Sequence, residues 1–250
     1  MSSKLAVITG ASTGIGLASA QRLAQEGYRV IITGRNAATL DEAVRQIGAK
    51  AIAVKADSAN LADLPKLTDA VKQAGGKIDF VFINAGVALF APVAEVTPEF
   101  FDNQMNINVR GAYFTAQALL PYVADGASIA FNASIVKDVG FPGSSVYSAT
   151  KAAVAVVAKT LAAELAARKI RVNVVSPGPI STPIYGKLGM AEADLSGFAT
   201  HMQASLPLKR FGEAAEVGDL VAFLASDASR FITGVDIPID GGFLLGKMAA

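Results

Sequence analysis

The feature that most constrains the fold is a short N-terminal unit of strand, glycine turn and helix. An apolar run at residues 5–8 leads into the stretch TGASTGIG at 9–16, and a run of good helix formers follows at 17–24. Glycines let the backbone approach a pyrophosphate, and the N-terminus of the next helix offers unpaired N–H groups. The spacing G-x-x-x-G-x-G differs from the usual dinucleotide fingerprint, and the glycines alone could form only a tight turn. Their place after the first strand favours a phosphate-binding turn.

Apolar strand-like runs alternate with amphipathic helical stretches along the chain. The predicted strands are 4–9, 28–33, 50–56, 78–83, 126–132, 170–175 and 235–239. The predicted helices are 14–26, 36–48, 60–74, 99–122, 146–168 and 213–225. This alternation predicts an α/β fold in which helices cover both faces of a doubly wound parallel sheet. With no internal repeat and no linker, we predict a single domain over residues 1–250.

The least regular stretch is 177–212, which is rich in proline and glycine. A long insertion between a strand and a helix is often a substrate lid, and this one follows a strand end. We therefore predict a lid at about 179–210, with a merely mobile loop as the alternative.

A tyrosine and a lysine four residues apart, Tyr147 and Lys151, share one face of a predicted helix. The pKa of an unperturbed tyrosine is about 10, and a fixed positive charge nearby would lower it toward neutral. Ser134 lies upstream at the end of an apolar run, where a hydroxyl can meet the start of that helix. The three side chains predict a site that interconverts a carbonyl and an alcohol. Taken alone, a Tyr–Lys pair at this spacing is more often a solvated helix face.

Composition excludes several classes of function. The 250 residues carry a net charge of +1 without a basic stripe, so we expect no nucleic-acid partner. The absence of cysteine excludes disulfides and thiol catalysis, and the single histidine, His201, cannot build a metal site alone. No apolar run approaches the ~20 residues that span a bilayer, and we expect no signal peptide. We therefore expect no metal and no membrane partner, and a cytoplasmic location.

Several motifs together resemble those of the short-chain dehydrogenase/reductase family over nearly the whole chain. The matching segments are Thr9 to Gly16, Asn84-Ala85-Gly86, Asn108, Ser134, Tyr147 with Lys151, and Pro177-Gly178. They occur in the family's order and at its usual separations. The resemblance implies a Rossmann-type sheet of about seven strands and an NAD(P)-dependent oxidoreductase that acts on CH–OH groups.

The family's catalytic residues match Asn108, Ser134, Tyr147 and Lys151. The resemblance implies that Tyr147 transfers a proton, that Ser134 donates to the substrate oxygen and that Lys151 also holds the nicotinamide ribose. Asn108, rather than the nearby Asn106, would hold a water behind the lysine, although it could also only satisfy backbone groups inside its helix. The residues expected to bind the cofactor are Gly10, Ser12, Thr13, Gly14, Ile15, Gly16, Arg35, Asp57, Asn84, Ala85, Gly86, Tyr147, Lys151, Pro177, Gly178, Ile180 and Thr182.

The end of the second strand bears on the choice of cofactor. An acid there would accept hydrogen bonds from the ribose 2′-OH of NAD, but this chain has Thr33-Gly34-Arg35-Asn36. A guanidinium can bind a 2′-phosphate bidentately. Arg35 therefore favours NADP(H) over NAD(H). It could instead be a solvated charge at a helix start, and Thr13 stands where many NADP-using relatives carry a second basic residue.

Two of the expected cofactor-binding residues could instead have a purely structural role. The resemblance implies that Asp57 receives the adenine amino group, but Asp57 could also cap the next helix. The small residues of Asn84-Ala85-Gly86 would let the backbone pass close to the adenine ribose. Asn84 itself could serve only to tie strands together.

The predicted substrate pocket is mainly apolar. Its candidate lining residues are Phe90, Val136, Val139, Phe141, Ile184, Tyr185, Leu188, Met190, Phe198 and Met202. They favour a small apolar or aromatic ketone, aldehyde or secondary alcohol over a phosphorylated sugar, although they could simply pack the lid onto the body. The alternatives are a 3-oxoacyl-carrier-protein reductase, which would need a basic patch to dock an acidic carrier, and a non-catalytic NADP-binding regulator.

Family members assemble as tetramers through the final strand, its neighbouring helix and two long central helices. The final strand here is predicted at 235–239, and the alanines of helix 146–168 would allow close helix contact. We therefore expect a homotetramer, although the same alanines could pack on the sheet.

Overall fold

Seven strands form one parallel sheet. The computed structural model describes residues 3–183 and 192–246. The strands of the sheet are β1 (Leu5–Ile8), β2 (Arg29–Gly34), β3 (Ala51–Lys55), β4 (Ile78–Ile83), β5 (Val123–Asn132), β6 (Arg171–Pro177) and β9 (Asp236–Ile239). Their order across the sheet is β3-β2-β1-β4-β5-β6-β9. Strand order reverses at β1, so a crevice opens between the carboxyl ends of β1 and β4, where open α/β sheets bind ligands.

Helices cover both faces of this sheet. They are α1 (Gly14–Gln25), α2 (Ala37–Ile47), α3 (Leu64–Gln73), α4 (Pro98–Met105), α5 (Ala112–Leu119), α6 (Ser145–Glu164), α7 (Glu192–Ser205) and α8 (Ala214–Ala225). Leu23 of α1 and Val221 of α8 belong to one buried cluster, and Leu67 of α3 and Val154 of α6 belong to the other. Because strand side chains alternate between faces, each central strand contributes to both clusters. The sequence of such a strand is therefore a continuous apolar run.

The predicted doubly wound fold is confirmed, and the seven predicted strands are those of the sheet. The predicted helix 99–122 corresponds to α4, which begins one residue earlier, a π-helical segment at Asn106–Gly111, and α5. A Cβ added at Gly111 would lie 2.3 Å from the Ser58 carbonyl oxygen, so only glycine lets the helix touch this loop. The single domain over residues 1–250 stays a prediction.

The stretch predicted to be irregular, 177–212, contains regular structure. It includes α7 and a strand β7 (Ile180–Ser181), which pairs in parallel with β8 (Gly212–Glu213) just beyond it. The β7–β8 pair therefore brings together the start and the end of the predicted lid. Residues 184–191, in the middle of that lid, lie outside the described part of the chain.

Helix α6 bears on the expectation about apolar length. Among the described helices it alone is long and apolar enough to cross a membrane, by length and composition only, with a mean hydropathy of 1.2. Polar residues interrupt its sequence, which is why no continuous apolar run marks it. In the fold α6 packs against β5 and β6 and buries Val154, Ala158 and Lys151. A core helix meets the same criteria, so its composition is weak evidence for a membrane.

A side chain from the start of β6 caps the C-terminal end of α8. The Arg171 guanidinium donates to the Leu224 carbonyl at 2.9 Å and to the Ser226 carbonyl at 3.3 Å, and it also donates to the Ser229 hydroxyl at 2.8 Å. The last carbonyls of a helix lack partners within the helix and carry partial negative charge. This cap fixes α8 to the strand whose other end reaches the site.

Candidate active site

Two neighbouring cavities open at the carboxyl ends of β1, β4, β5 and β6. The polar cavity, of about 280 Å³, is lined by the glycine-rich turn and by the ends of β2 and β3. The apolar cavity, of about 370 Å³, is lined by the segment after β5 and by residues from 177 onward. The residues that line both cavities are Ile15, Ala88, Asn132, Tyr147 and Thr182. A ligand in one cavity can therefore touch a ligand in the other.

The glycine turn lies close against the strand ends. Gly10 and Gly14 have φ angles of 63° and 57°, a conformation that glycine adopts without strain. A Cβ added at Gly10 would meet the Ala85 Cα at 2.8 Å, and one added at Gly16 would meet the Gly10 oxygen at 2.5 Å. Thr13 precedes α1 without a side-chain capping bond, so the first-turn N–H groups of α1 face the polar cavity uncapped by that residue.

The structure brings most of the predicted cofactor residues together. The ones that line the polar cavity are Gly10, Ser12, Thr13, Gly14, Ile15, Gly16, Arg35, Asp57, Asn84, Ala85, Gly86, Tyr147, Lys151 and Thr182. The ones that line the apolar cavity instead are Pro177, Gly178 and Ile180. Thr182 lies on both, so the segment from Pro177 to Thr182 runs along the junction where a nicotinamide carboxamide was expected.

Two charged side chains lie at the β2 and β3 end of the polar cavity. Arg35 is exposed and has no hydrogen bond or ion pair with any described residue. Asp57 accepts a hydrogen bond from the Ala59 N–H at 3.0 Å, and Asn60 caps the helical turn that follows. Asp57 therefore does not cap the next helix, so the helix-cap role considered for it from the sequence is wrong.

Amide side chains join the glycine turn to β4 and β5. Asn84 donates to the Thr9 carbonyl at 2.9 Å and to the Gly10 carbonyl at 3.1 Å, which is the strand-tying role weighed for it from sequence. Asn132, at the end of β5, donates to the Asn84 side-chain oxygen at 2.8 Å. The Asn132 backbone oxygen accepts from the Lys151 amine, also at 2.8 Å. Asn132 thus links the turn to the lysine, and sequence reasoning missed it although it is a polar residue at a strand end.

Asn108 lies behind the lysine and lines neither cavity. It is buried, whereas Asn106 is exposed. Its side chain exchanges two 2.8 Å hydrogen bonds with the Val87 backbone and donates to the Thr150 hydroxyl at 3.0 Å. A Cβ added at Gly86 would lie 3.0 Å from Asn108 Oδ1 and 3.5 Å from Lys151 Nζ, so both groups adjoin the same glycine.

The pKa values of Tyr147 and Lys151 differ from those expected for a tyrosine whose pKa a nearby lysine lowers. Burial raises the pKa of Tyr147 to about 12, and a hydrogen bond with Ser134 opposes this rise. Burial also lowers the pKa of Lys151 to about 8. The lysine amine lies 5.7 Å from the centre of the tyrosine ring and donates to the Asn132 oxygen. The expected lowering of the tyrosine pKa is therefore wrong for the protein alone, because loss of hydration outweighs the hydrogen bond with Ser134.

Ser134 places its hydroxyl in the apolar cavity beside Tyr147. It caps a short 3-10 turn, where its oxygen accepts from the Val136 N–H at 3.3 Å. The predicted pocket residues that line this cavity are Phe90, Val136, Val139, Phe141 and Met202. Ile184, Tyr185, Leu188 and Met190 lie outside the described residues, and the side chain of Phe198 is not described.

The sequence did not indicate that one aromatic side chain, Phe243, lines this cavity. Phe243 follows the last strand and lines the apolar cavity together with Met202. It lies more than 100 residues along the chain from Ser134, so neither spacing nor periodicity relates the two. Only the return of β9 to the side of β6 brings it there.

The polar cavity fits a dinucleotide on the features of this structure. Because Gly10 and Gly16 lack a Cβ, the glycine turn can fold tightly against the strand ends beside the cavity, and the N-terminus of α1 supplies N–H groups for a phosphate. Arg35 offers a cation at one end, and Lys151 offers an amine at the other. Within residues 3–183 and 192–246, no group of three His, Cys, Asp or Glu side chains is placed to hold a metal ion.

Comparison with known proteins agrees with this geometry. Residues 10–244 match the family model described as enoyl-(acyl carrier protein) reductase. The chain is 41% identical over 244 residues to the oxidoreductase asL5 of Sarocladium schorii, covering 97% of this chain and 96% of that protein. It is 34% identical to the NADP-dependent (R)-specific alcohol dehydrogenase of Lentilactobacillus kefiri, covering 96% of each.

A solved structure shares the whole fold. The 3-ketoacyl-(acyl-carrier-protein) reductase from Brucella melitensis, complexed with NADH, aligns with a TM-score of 0.87 at 32% identity, covering 96% of this chain and 98% of that chain. These matches extend over nearly the full sequence and join oxidoreductases that use NAD(P)(H). The protein is an oxidoreductase of the short-chain dehydrogenase/reductase family.

Proposed function

We propose that the protein transfers a hydride between NADP(H) and a small apolar or aromatic ketone, aldehyde or secondary alcohol. The observation that carries this proposal is the position of Tyr147, which lines both cavities. Its hydroxyl group has a hydrogen bond with Ser134, which lines the apolar cavity, and the Lys151 amine, which lines the polar cavity, lies 5.7 Å from the centre of its ring. A substrate in the apolar cavity can place its carbonyl oxygen against the hydroxyl groups of Tyr147 and Ser134. Its carbonyl carbon then faces the polar cavity.

Tyr147, Ser134 and Lys151 then have separate roles in the reaction. In reduction, the carbonyl carbon gains a hydride and the oxygen gains a proton from the Tyr147 hydroxyl, so that an alcohol forms. When bound, the nicotinamide supplies that hydride or accepts it in the reverse direction. Ser134 donates a hydrogen bond to the oxygen as negative charge develops there. With a pKa of about 12, Tyr147 is protonated at neutral pH, as the donor in the reduction must be. Lys151 holds the ribose and returns a proton to Tyr147.

A kinetic comparison tests this assignment. Wild-type protein should oxidise NADPH when acetophenone is added, and Tyr147→Phe should reduce kcat by at least about a hundredfold, the usual contribution of one acid-base group. NADPH affinity should stay within about threefold, because the ring remains. Tyr113→Phe, which changes an exposed tyrosine, is the matched control. Loss of nucleotide binding in Tyr147→Phe, or full activity in it, would contradict the assignment.

The preference for NADP(H) rests on Arg35. Its guanidinium lines the polar cavity without a partner among the described residues, at the place where an acid would select NAD. One relative is named as NADP-dependent, whereas a solved relative holds NADH, so the relatives alone leave the preference open. A free guanidinium can bind a 2′-phosphate through two hydrogen bonds.

Titration of NADPH and NADH into wild type, Arg35→Asp and Arg45→Ala tests the preference. We expect tighter NADPH binding in wild type and a loss of NADPH affinity of about tenfold or more in Arg35→Asp, since a charge-assisted bond contributes about 1.5–3 kcal/mol. Arg45 is an exposed arginine on α2 that pairs with Glu42, and its loss should change neither affinity. Equal or tighter NADH binding in wild type would reverse the preference.

The proposed substrate class follows from the lining of the apolar cavity. No charged side chain lines it among the described residues. Phe90 stacks edge-on against both Phe141 and Tyr147, with ring centres 6.0 Å and 5.7 Å apart. A charged or phosphorylated substrate would lose hydration here without a partner.

A 3-oxoacyl-carrier-protein reductase is the second candidate, favoured by the solved relative, which is named as a 3-ketoacyl-(acyl-carrier-protein) reductase. Docking of an acidic carrier needs free cations near the cavity. However, Lys137 is paired with Asp236 at 2.9 Å, and Arg210 with Glu216 at 2.7 Å.

Comparing kcat/KM for acetoacetyl-carrier protein with that for acetophenone separates the two candidate functions. A strong preference for the carrier substrate would favour the 3-oxoacyl-carrier-protein reductase. NADPH binding without turnover of either substrate would favour a non-catalytic regulator.

We also propose a homotetramer, in a cytoplasmic location. β9 is an edge strand of the sheet, and Phe223, Phe231 and Val235 beside it are exposed. Val156 on α6 and Tyr113 on α5 are also exposed apolar side chains. Light scattering after gel filtration tests the assembly, and Val156→Glu and Phe231→Glu should each lower the mass. A monomeric wild type contradicts it.

A further inference from the structure

We propose that Phe243 sets the size of substituent that the apolar cavity accepts, as a specificity-determining residue held in place by Asp240. The proposal deepens the carbonyl reductase assignment and rests on it. Phe243 lines the apolar cavity and is partly buried, whereas its neighbours Leu244 and Leu245 are exposed at 37% and 73%. One side chain of this C-terminal turn therefore faces the cavity while the next ones face solvent.

The Asp240 carboxylate fixes the turn that carries the ring. Its Oδ1 accepts from the Gly242 N–H at 2.9 Å, and its Oδ2 accepts from the Leu244 N–H at 2.8 Å. The Phe243 N–H donates to the Asp240 carbonyl at 3.2 Å. Gly242 has a φ of 86°, which bends the chain back at low cost only for glycine. These bonds enclose Phe243, so its position depends on one carboxylate.

The same turn is tied to two other walls of the cavity. The Gly178 N–H donates to the Ile239 carbonyl at 2.9 Å, and a Cβ added at Gly178 would lie 2.6 Å from the Asp240 Cα. The Leu208 N–H, just beyond α7, donates to the Gly241 carbonyl at 3.2 Å. The ring is therefore held at a fixed place relative to the segment after β6 and to the end of α7.

Phe243 is separate from the proton-transfer groups. Phe90 and Phe141 also line the cavity, but they belong to one aromatic cluster with Tyr147, so truncating them would disturb the proton donor. Phe243 takes part in no ring–ring contact within the described part of the chain. Shortening it should enlarge the cavity and leave the position of Tyr147 unchanged.

The test compares methyl phenyl ketone with butyl phenyl ketone. For Phe243→Ala we expect the ratio of kcat/KM for the butyl ketone to that for the methyl ketone to rise at least about tenfold, as for a pocket that gains room for methylene groups. Leu244→Ala, at the adjacent exposed position, should leave the ratio within about twofold. Asp240→Asn should change the ratio in the same direction by less, because one of the two acceptors becomes a donor.

Binding of the two ketones, measured by calorimetry in the presence of NADP⁺, gives a readout that needs no turnover. The same change in their relative affinity is expected for Phe243→Ala, and thermal melting checks that each variant is folded. An unchanged ratio in both assays, or an equal change in Leu244→Ala, would overturn the role of Phe243. If wild type binds but reduces neither ketone, and the affinity ratio still changes, the reductase assignment fails while the role of Phe243 stands.

Discussion

Replacing Lys151 with methionine should change how the stability of the protein depends on pH. Burial lowers the pKa of Lys151 from 10.5 to about 8 in the folded protein, whereas unfolding restores the usual value. The unfolded chain therefore binds the proton more tightly, and charging Lys151 in the fold costs free energy. This cost is fully present below pH ~8 and disappears as the pH rises from there through about 10.5.

The magnitude follows from the same values. A fall from 10.5 to about 8 corresponds to about 3.4 kcal/mol, since each pKa unit is about 1.4 kcal/mol. Between about pH 7 and about pH 10, the titration recovers about 2.5 kcal/mol of this. Methionine has a similar length without a charge. It also loses the 2.8 Å bond to the Asn132 oxygen, but that loss is constant with pH and leaves the slope unaffected.

The assay is denaturant unfolding of nucleotide-free wild type, Lys151→Met and Lys159→Met in steps between about pH 7 and about pH 10. Lys159 is exposed on the same helix, so it controls for loss of a lysine from α6. The unfolding free energy of wild type should rise by about 2.5 kcal/mol relative to Lys151→Met and stay parallel to that of Lys159→Met. The raised pKa of Tyr147 acts in the opposite sense above about pH 10, but it is common to all three proteins and cancels. Parallel profiles for wild type and Lys151→Met would refute the claim that burial depresses the lysine pKa.

Three further substitutions follow from contacts described above. Gly16→Ala should weaken NADPH binding at least tenfold in a titration and cost about 1–3 kcal/mol, because the methyl group would lie 2.5 Å from a backbone oxygen, whereas Gly140→Ala, with nothing within 4 Å, should do neither. Arg171→Leu should lower the unfolding free energy by about 2–3 kcal/mol in denaturant by removing the cap of α8, against almost no change in Arg45→Leu. Asn132→Leu should raise the dissociation constant of NADPH about tenfold, measured by fluorescence, because it removes the hydrogen bond that holds the partly buried Asn84 side chain against the glycine turn. Wild-type behaviour in any of these would contradict the contact concerned.

Much of the fold could be predicted because each strand lies between two helical layers. The apolar runs at 78–83 and 126–132 and the amphipathic stretches between strands carry that signal along the whole chain. The helix α7 was not predicted, although Leu195, Phe198 and Met202 stand at helical spacing in its sequence. Its glycine, Gly197, and the prolines and glycines on either side of it favoured an irregular segment. The pairing of β7 with β8 depends on two residues from each strand, too few for a pattern.

The candidate site was predictable where spacing in the sequence fixes proximity in space. Tyr147 and Lys151 lie one helical turn apart, and the glycine turn adjoins its own strand and helix. Their pKa values were not predictable, because burial depends on the surrounding walls rather than on the pair. Phe243 was not predictable either, since only the pairing of β9 with β6 brings it to the cavity.

The two cavities differ in how far along the chain their lining residues extend. Every described residue that lines the polar cavity occurs at or before Pro183, whereas Met202 and Phe243 line the apolar cavity alone. A chimera that takes everything after Pro183 from a relative would keep the first part of the molecule, with its glycine turn and Arg35, and replace only the later walls. Recombination at one point in the gene can therefore give the enzyme a new range of substrates while its choice of nucleotide is inherited unchanged.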